Sequence, residues 1–363
     1  MTTRRPGEGA DGTRRAARRP INLKKLAERL DLSPATVSLV LNRSNVADSI
    51  PQETKDRIFA AVRKFKYRPS FFARSLRAQR SFTIGVLVPE VSEGYSASVM
   101  SGVEDYLLQE GYFYFVASHR HRTDLIDEYP RMFLERAVDG LIAVDTPWHL
   151  DLSVPVVTVS GHNDVKGVTN IVLNHQRAAE LALKYLSHLG HRRIAFMKGQ
   201  EFSSDTVVRW ANIERVARQL GLAINRRLVT QLEGDSPSPQ LGYRATKKLL
   251  ASKESFSALF AFNDISAIGA IRALREGGRR VPEDISVVGF DDIQSAAYQN
   301  PGLTTVRQPL REMGRAAAEI LLRRINRPGS ELHDKHIVEP ELVIRDTTSR
   351  AQAGRKIRGR KKA

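Results

Sequence analysis

The sequence predicts a small all-α head followed by an α/β body of two Rossmann-like lobes, and three observations carry that prediction. Positive charge is concentrated at the two ends of the 363-residue chain. The segment 21–80 shows helical periodicity. From Ser81 onward, short Val/Ile-rich runs alternate twice over with amphipathic stretches, the pattern of parallel sheets covered on both faces.

The net charge of +17 divides unevenly. Residues 1–20 contribute +4, residues 350–363 +7, and residues 21–80, with thirteen Lys/Arg against five Asp/Glu, +8. The remainder sums to −2. A basic head on a near-neutral body points to a polyanionic partner for the head, DNA above all. The chain has no cysteine, which excludes disulfides and thiolate metal sites and suggests a reducing compartment. No apolar run approaches a membrane span, and the Arg-rich start lacks the apolar core of a secretory signal. The expected compartment is the cytoplasm, with no membrane partner.

Three helices are expected in the head. Leu23, Leu26, Ala27 and Leu30 recur at helical spacing behind a capping Asn22. "LSPATVSLVLN" starts a second helix, with Ser33 as cap and Pro34 at the first helical position. "PQETKDRIFAAVRKFKY" carries a third, with Ile58, Ala61, Val62 and Phe65 on its apolar face. Two short helices joined tightly, with a third across them, form the helix-turn-helix plan, whose second helix fits a major groove. Val37, Val40 and Leu41 are expected to anchor that helix, while Ser33, Pro34, Ala35, Thr36, Ser38 and Asn42 face outward toward bases and phosphates.

"LKKLAERLDLSPATVSLVLN" together with "TKDRIFAAVRKFKYRPSFFARSLRAQRSFTIGVLVP" resembles the head and hinge of the LacI/GalR family of bacterial transcription regulators. The resemblance extends over roughly residues 21–349. It implies that "SFFARSLRAQ" folds into a hinge helix on DNA, with Leu76 wedged into the minor groove and Ala73, Arg74 and Arg77 beside it. The sequence departs from the family in two places. Leu39 stands where a polar base reader is common, and "NRSNVADSIPQET" is about three residues longer than the usual link. Arg43 in that link can reach a phosphate or remain a solvated charge.

For the body, the resemblance implies a periplasmic-binding-protein-like sensor. Its effector cleft would lie at the carboxyl ends of the strands. Arg209 and Asp291 match residues that hold polar effector groups, and Glu90, Tyr95, Thr146 and Ser160 follow first-lobe strands. Asn263 and Asp264 can contact ligand or cap the following helix. Ser236 sits where many relatives place a stacking aromatic.

The expected organisation is a disordered basic tail at 1–20, a helix-turn-helix domain at 21–66 and a hinge at 67–80. An effector-binding and dimerisation domain follows at 81–349, then a second basic tail at 350–363. Lobe 1 is expected over about 81–190 and 305–327, and lobe 2 over about 191–304 and 328–349. The crossings would then fall near Gly190–His191, Thr304–Thr305 and Arg327–Gly329.

No nucleotide-binding glycine motif, nucleophile elbow or metal-ligand spacing occurs, so no cofactor, no metal and no enzymatic activity are expected. The pairs His119/His121 and His188/His191 stand without cysteine or a carboxylate triad. The expected function is that of a homodimeric repressor. It would bind a pseudo-palindromic double-stranded operator under control of a small effector, a sugar or related metabolite, and associate with the bacterial nucleoid. The alternatives are a transporter's solute-binding protein or a nonspecific architectural DNA binder.

Overall fold

The computed structural model describes residues 21–41, 45–67, 75, 79–92, 94–235, 238–329 and 334–352. The chain forms two compact units that divide after Arg80. Both basic tails, apart from 350–352, and most of the hinge lie outside the described residues.

The head is built from α1 (Leu23–Leu30), α2 (Pro34–Leu41) and α3 (Gln52–Phe65). Each start and stop has a local cause. The Asn22 side chain accepts from the Lys25 N–H, and Asp31 closes α1 in the left-handed conformation. Ser33 Oγ accepts from the Thr36 N–H at 3.0 Å and fixes the first turn of α2. The long link after α2 folds into a 3-10 turn, Asn45–Ser49, which buries Ala47 in the head core with Leu26, Val37, Val40 and Ile58.

In the body, the first sheet holds β1 (Thr83–Val88), β2 (Phe113–Ser118), β3 (Gly140–Val144), β4 (Val156–Val159), β5 (Thr169–Leu173) and β11 (Lys335–Val338). Its order is β11-β5-β4-β3-β1-β2, and every pairing is parallel. The second sheet holds β6 (Ile194–Lys198), β7 (Val229–Gln231), β8 (Ala258–Phe260), β9 (Ser286–Asp291), β10 (Thr304–Arg307) and β12 (Glu341–Val343). Its order is β12-β10-β9-β8-β6-β7, with only β12 antiparallel.

Helices cover both faces. α4 (Tyr95–Gln109), α5 (Thr123–Glu135) and α11 (Leu310–Asn326) pack on the first sheet. α6 (His175–His188), α7 (Ser204–Gln219), α8 (Pro239–Ala251) and α9 (Asp264–Glu276) pack on the second, where a short α10 (Gln294–Ala297) also lies. The unbroken apolar runs of the sequence therefore become central strands such as β1, buried at every position.

The crossings between lobes differ from the sequence expectation. α6 buries Ala178, Ala179, Ala182, Leu183 and Leu186 in the core of the second lobe, so the chain has already crossed after β5. β10 pairs with β9, which moves the second crossing past Arg307, and β11 pairs with β5, which moves the third beyond Val338. A helix stripe signals burial but not which sheet covers it. The first and third crossings touch: the Asn174 N–H donates to the Val338 carbonyl at 2.9 Å, and Asn174 Nδ2 donates to Glu339 Oε1 at 2.9 Å.

α4 and α11 approach so closely that a Cβ on Gly314 would stand 1.9 Å from the Val99 carbonyl oxygen. Gly314→Ala is expected to lower the unfolding midpoint of the body, since overpacking a closed contact costs about 1–3 kcal/mol. Calorimetry on the full chain measures this, and an unchanged midpoint would show that the two helices can separate freely.

Candidate functional site

On α2, Ser33, Pro34 and Ala35 are exposed and Thr36 is half-buried. Thr36 Oγ1 lies 2.9 Å from Ser33 Oγ, so the two hydroxyls share one end of the helix. Ser38 departs from the expected outward face: it is 9% exposed, buried in the head along with Val37. Leu39 is half-buried and packs against the head core. Asn42, Arg43, Ala73, Arg74, Leu76 and Arg77 lie outside the described residues.

In the body, the carboxyl ends of both sheets face a cavity of about 80 Å³. Glu90, Tyr95, Arg209, Asn263 and Asp291 all line it, as do Asp145 and Asp205, which the sequence reading did not single out. Arg209 is fixed from several sides. Its Nη2 donates to Asp205 Oδ2 at 2.8 Å, its Nη1 donates to the Phe262 carbonyl at 2.5 Å, and its guanidinium stacks 3.7 Å from the Phe290 ring centre. Asn263 caps α9 in a reciprocal box with Ser266, and it also lines the cavity. Asp291 ends β9 in the left-handed region, at φ 108°, and its Oδ1 accepts from Gln308 Nε2 at 2.7 Å.

Three expected contacts stand differently. Thr146 is fully buried behind the cavity, where its hydroxyl donates to the Val144 carbonyl and meets His119 Nε2 at 3.0 Å. Ser160 is also fully buried; its hydroxyl accepts from Tyr95 Oη at 2.7 Å, so it orients Tyr95. Both sit just past the ends of β3 and β4 yet are fully buried, which the order of residues does not reveal. Ser236 lies outside the described residues. Asp264 has the structural role, accepting from Thr305 Oγ1 at 2.6 Å and from the Ile293 N–H at 2.9 Å.

The lobes also meet at the cavity wall. Ser204 Oγ donates to the Ser160 carbonyl at 3.1 Å. His162, in the loop after β4, forms a short bond through Nε2 to Asp205 Oδ1, and His175 Nε2 stands 3.4 Å from the same oxygen. The histidines flagged by spacing behave otherwise. His119 Nδ1 accepts from the His121 N–H, and His191 is held between Ser257 Oγ and the Ser349 carbonyl.

Electrostatics divide the carboxyls. Burial alone would raise Asp205, but the Arg209 guanidinium, the His162 bond and the nearby His175 imidazole outweigh it and hold Asp205 well below the carboxylate range. Burial, reinforced by the Asp205 charge, pushes Asp145 well above that range. Burial lifts Asp291 to about 7 against the pull of Arg209 and the Gln308 bond, and it also raises Glu90. The cavity thus offers one ionised carboxylate–guanidinium pair beside carboxyl groups inclined to keep their protons.

A helix-turn-helix head joined to a two-lobed α/β body with an inter-lobe cavity defines a DNA-binding regulator with an effector-binding domain. Residues 22–70 match the bacterial regulatory proteins of the lacI family, and residues 183–348 match a periplasmic binding protein-like domain. The PurR repressor of Aliivibrio fischeri (strain ATCC 700601 / ES114) is 35% identical over 339 residues, covering 90% of this chain and 98% of its own. That of Haemophilus influenzae strain Rd is 31% identical over 334 residues, covering 89% and 97%. The lac repressor dimer bound to operator and an anti-inducer superposes with a TM-score of 0.76 at 26% identity, over 91% of this chain and 99% of that one. A LacI family regulator from Enterococcus faecium with bound ribose gives 0.66 at 27% identity, over 74% of this chain and 100% of that one. The chain belongs to the LacI family of bacterial transcription regulators. It is a regulator and not an enzyme, as its repressor relatives are.

The raised Asp291 value gives a pH dependence of defined sign. An unfolded carboxyl titrates near ~3.9, and the folded one at about 7. The protonated folded form is therefore favoured, and its stabilisation is complete below about pH 4 and lost as pH rises through about 7. The unfolding midpoint should fall across that window more steeply in the wild type than in Asp291→Asn. Equal slopes in a calorimetric pH series would remove Asp291 as the cause.

Proposed function

We propose that the chain is a repressor that acts as a homodimer on a pseudo-palindromic operator and is controlled by a small hydroxyl-rich metabolite, a sugar or sugar derivative. The observation that carries this is the convergence of Glu90, Tyr95, Arg209, Asn263 and Asp291, drawn from both lobes, on one cavity. An ionised pair, an amide and protonated carboxyls supply mixed donors and acceptors, which suit the hydroxyls of a polyol. Thr146 and Ser160 support that surface from behind. The exposed apolar edge strand β2, with Phe113 61%, Phe115 37% and Val116 39% exposed, offers a surface for the second copy.

On DNA, the exposed end of α2 at Ser33, Pro34, Ala35 and Thr36 enters the major groove, with Leu39, Asn42 and Arg43 following. Ala73, Arg74, Leu76 and Arg77 serve the minor groove in a hinge that folds on the operator. The effector alters operator affinity to the extent that it prefers one arrangement of the lobes. The setting for this reading is the bacterial cytoplasm and nucleoid; no helix among the described residues is long and apolar enough to cross a membrane.

A footprint on genomic fragments should protect one short symmetric site. A thermal-shift screen of sugars, purines and amino acids should single out a sugar, because a ligand selective for the folded state raises its midpoint. A purine hit in place of a sugar would overturn the effector class and leave the regulator. Smooth coating of any DNA, insensitive to every small molecule, would overturn the whole reading. Arg209→Ala should abolish the ligand shift and leave operator binding intact. Leu76→Ala should weaken operator binding about tenfold or more, as loss of a wedging side chain implies, with little change on nonspecific DNA.

A further inference from the structure

We propose that His162, His175 and Asp205 form a binding site for a borderline divalent transition-metal ion, Zn²⁺ being the best fit, on the wall between the lobes. The three side chains come from separate elements: the loop after β4, the start of α6 and the first turn of α7. One ligand atom from each lies within 4.8 Å of the other two. All are shielded, with side-chain exposures of 10%, 3% and 7%.

Two imidazoles and a carboxylate are a donor set that Zn²⁺ takes readily. Tetrahedral coordination at the usual bond lengths sets neighbouring ligand atoms roughly 3.3 Å apart. His175 Nε2 and Asp205 Oδ1, 3.4 Å apart, already stand at that spacing. The other ligand atoms need shifts on the order of 1 Å to spread around an ion at these bond lengths.

A simple hydrogen-bonded latch between His162 and Asp205 would account for His162 but not for His175. His175 is 4% exposed, and neither of its ring nitrogens has a hydrogen-bond partner in good geometry. A buried imidazole left in that state is costly unless something else satisfies it. Asp205 turns its second oxygen to Arg209 at 2.8 Å, which fixes the carboxylate's orientation as an outer partner of a metal ligand does.

Three protein ligands leave a fourth position open to water or to a donor atom of a cleft ligand. Because His162 belongs to the first lobe and Asp205 to the second, the ion binds best when the lobes are close and so favours that arrangement. This site depends neither on the identity of the organic effector nor on operator recognition.

The test uses the full chain, stripped with a chelator and dialysed. Zn²⁺ titrated by calorimetry should bind one ion per chain and raise the unfolding midpoint. Co²⁺ should give the intense visible absorption of a tetrahedral site. His162→Gln and His175→Asn should each weaken Zn²⁺ binding by about tenfold or more, in line with the loss of a ligand or its support. Imidazole ¹⁵N resonances of the wild type provide a readout independent of whether the variants fold: Zn²⁺ should shift those of two histidines together. Absence of Zn²⁺ binding, binding unchanged in both variants, or shifts confined to other histidines would overturn the proposal.

Discussion

Parallel strand pairing is the constraint from which the rest of the body follows. Parallel neighbours need a crossover between them, so helices must cover both faces and, β12 apart, the carboxyl ends within each sheet point one way. In both sheets those ends meet at the inter-lobe cavity. All three crossings leave from the carboxyl ends of strands, after Leu173, Arg307 and Val338. The covalent connections between lobes and the cavity-facing loops therefore occupy the same edge. Gln308, on the second crossing, donates directly to Asp291 in the cavity, and Asn174, on the first, is bonded to Glu339 on the third. A group that moves Asp291 also acts on the strand that joins the lobes.

The second constraint is the cost of a buried charge. Asp205 stays ionised only because Arg209 and two imidazoles face it, and removing one partner of such a pair typically costs about 3–5 kcal/mol. Arg209 is in turn pinned by the rings of Phe262 and Phe290. The cavity thus has a rigid charged corner, while Asp145 and Asp291 keep their protons more readily and can donate as well as accept. A wall that presents both roles discriminates ligands by the order of their donors and acceptors more than by net charge.

The fold was legible where local chemistry acts alone. The caps at Asn22, Ser33 and Asn263 and the Val/Ile runs of the strands lie where the sequence places them. Five of the expected cavity residues were legible too, because strand-end loops in doubly wound sheets face the cleft. What was not legible depends on partners distant in sequence. The stripe of α6 reads the same whichever sheet covers it. Ser38 is polar yet buried, and Thr146 and Ser160 follow strands like their neighbours but turn inward. His162, His175 and Asp205 come from three separate elements, so no spacing motif announces them.

The small cavity bears on how a ligand could act. About 80 Å³ is well below the ~300 Å³ or more of ordinary metabolite pockets. A ligand of metabolite size therefore does not fit the cavity in the arrangement seen here. The arrangement seen here is held by the Ser204–Ser160 bond and the Asp205–His162 bond, each hydrogen bond contributing on the order of 1 kcal/mol net. An effector that must break these contacts has that much less free energy with which to bias the lobes. One that leaves Asp205 in place, and adds its own bonds to Arg209 and Asp291, retains the closing contacts and gains from them. A ligand reaching Arg209 or Asp291 therefore meets the bonds of Asp205 and Ser204 that join the two lobes.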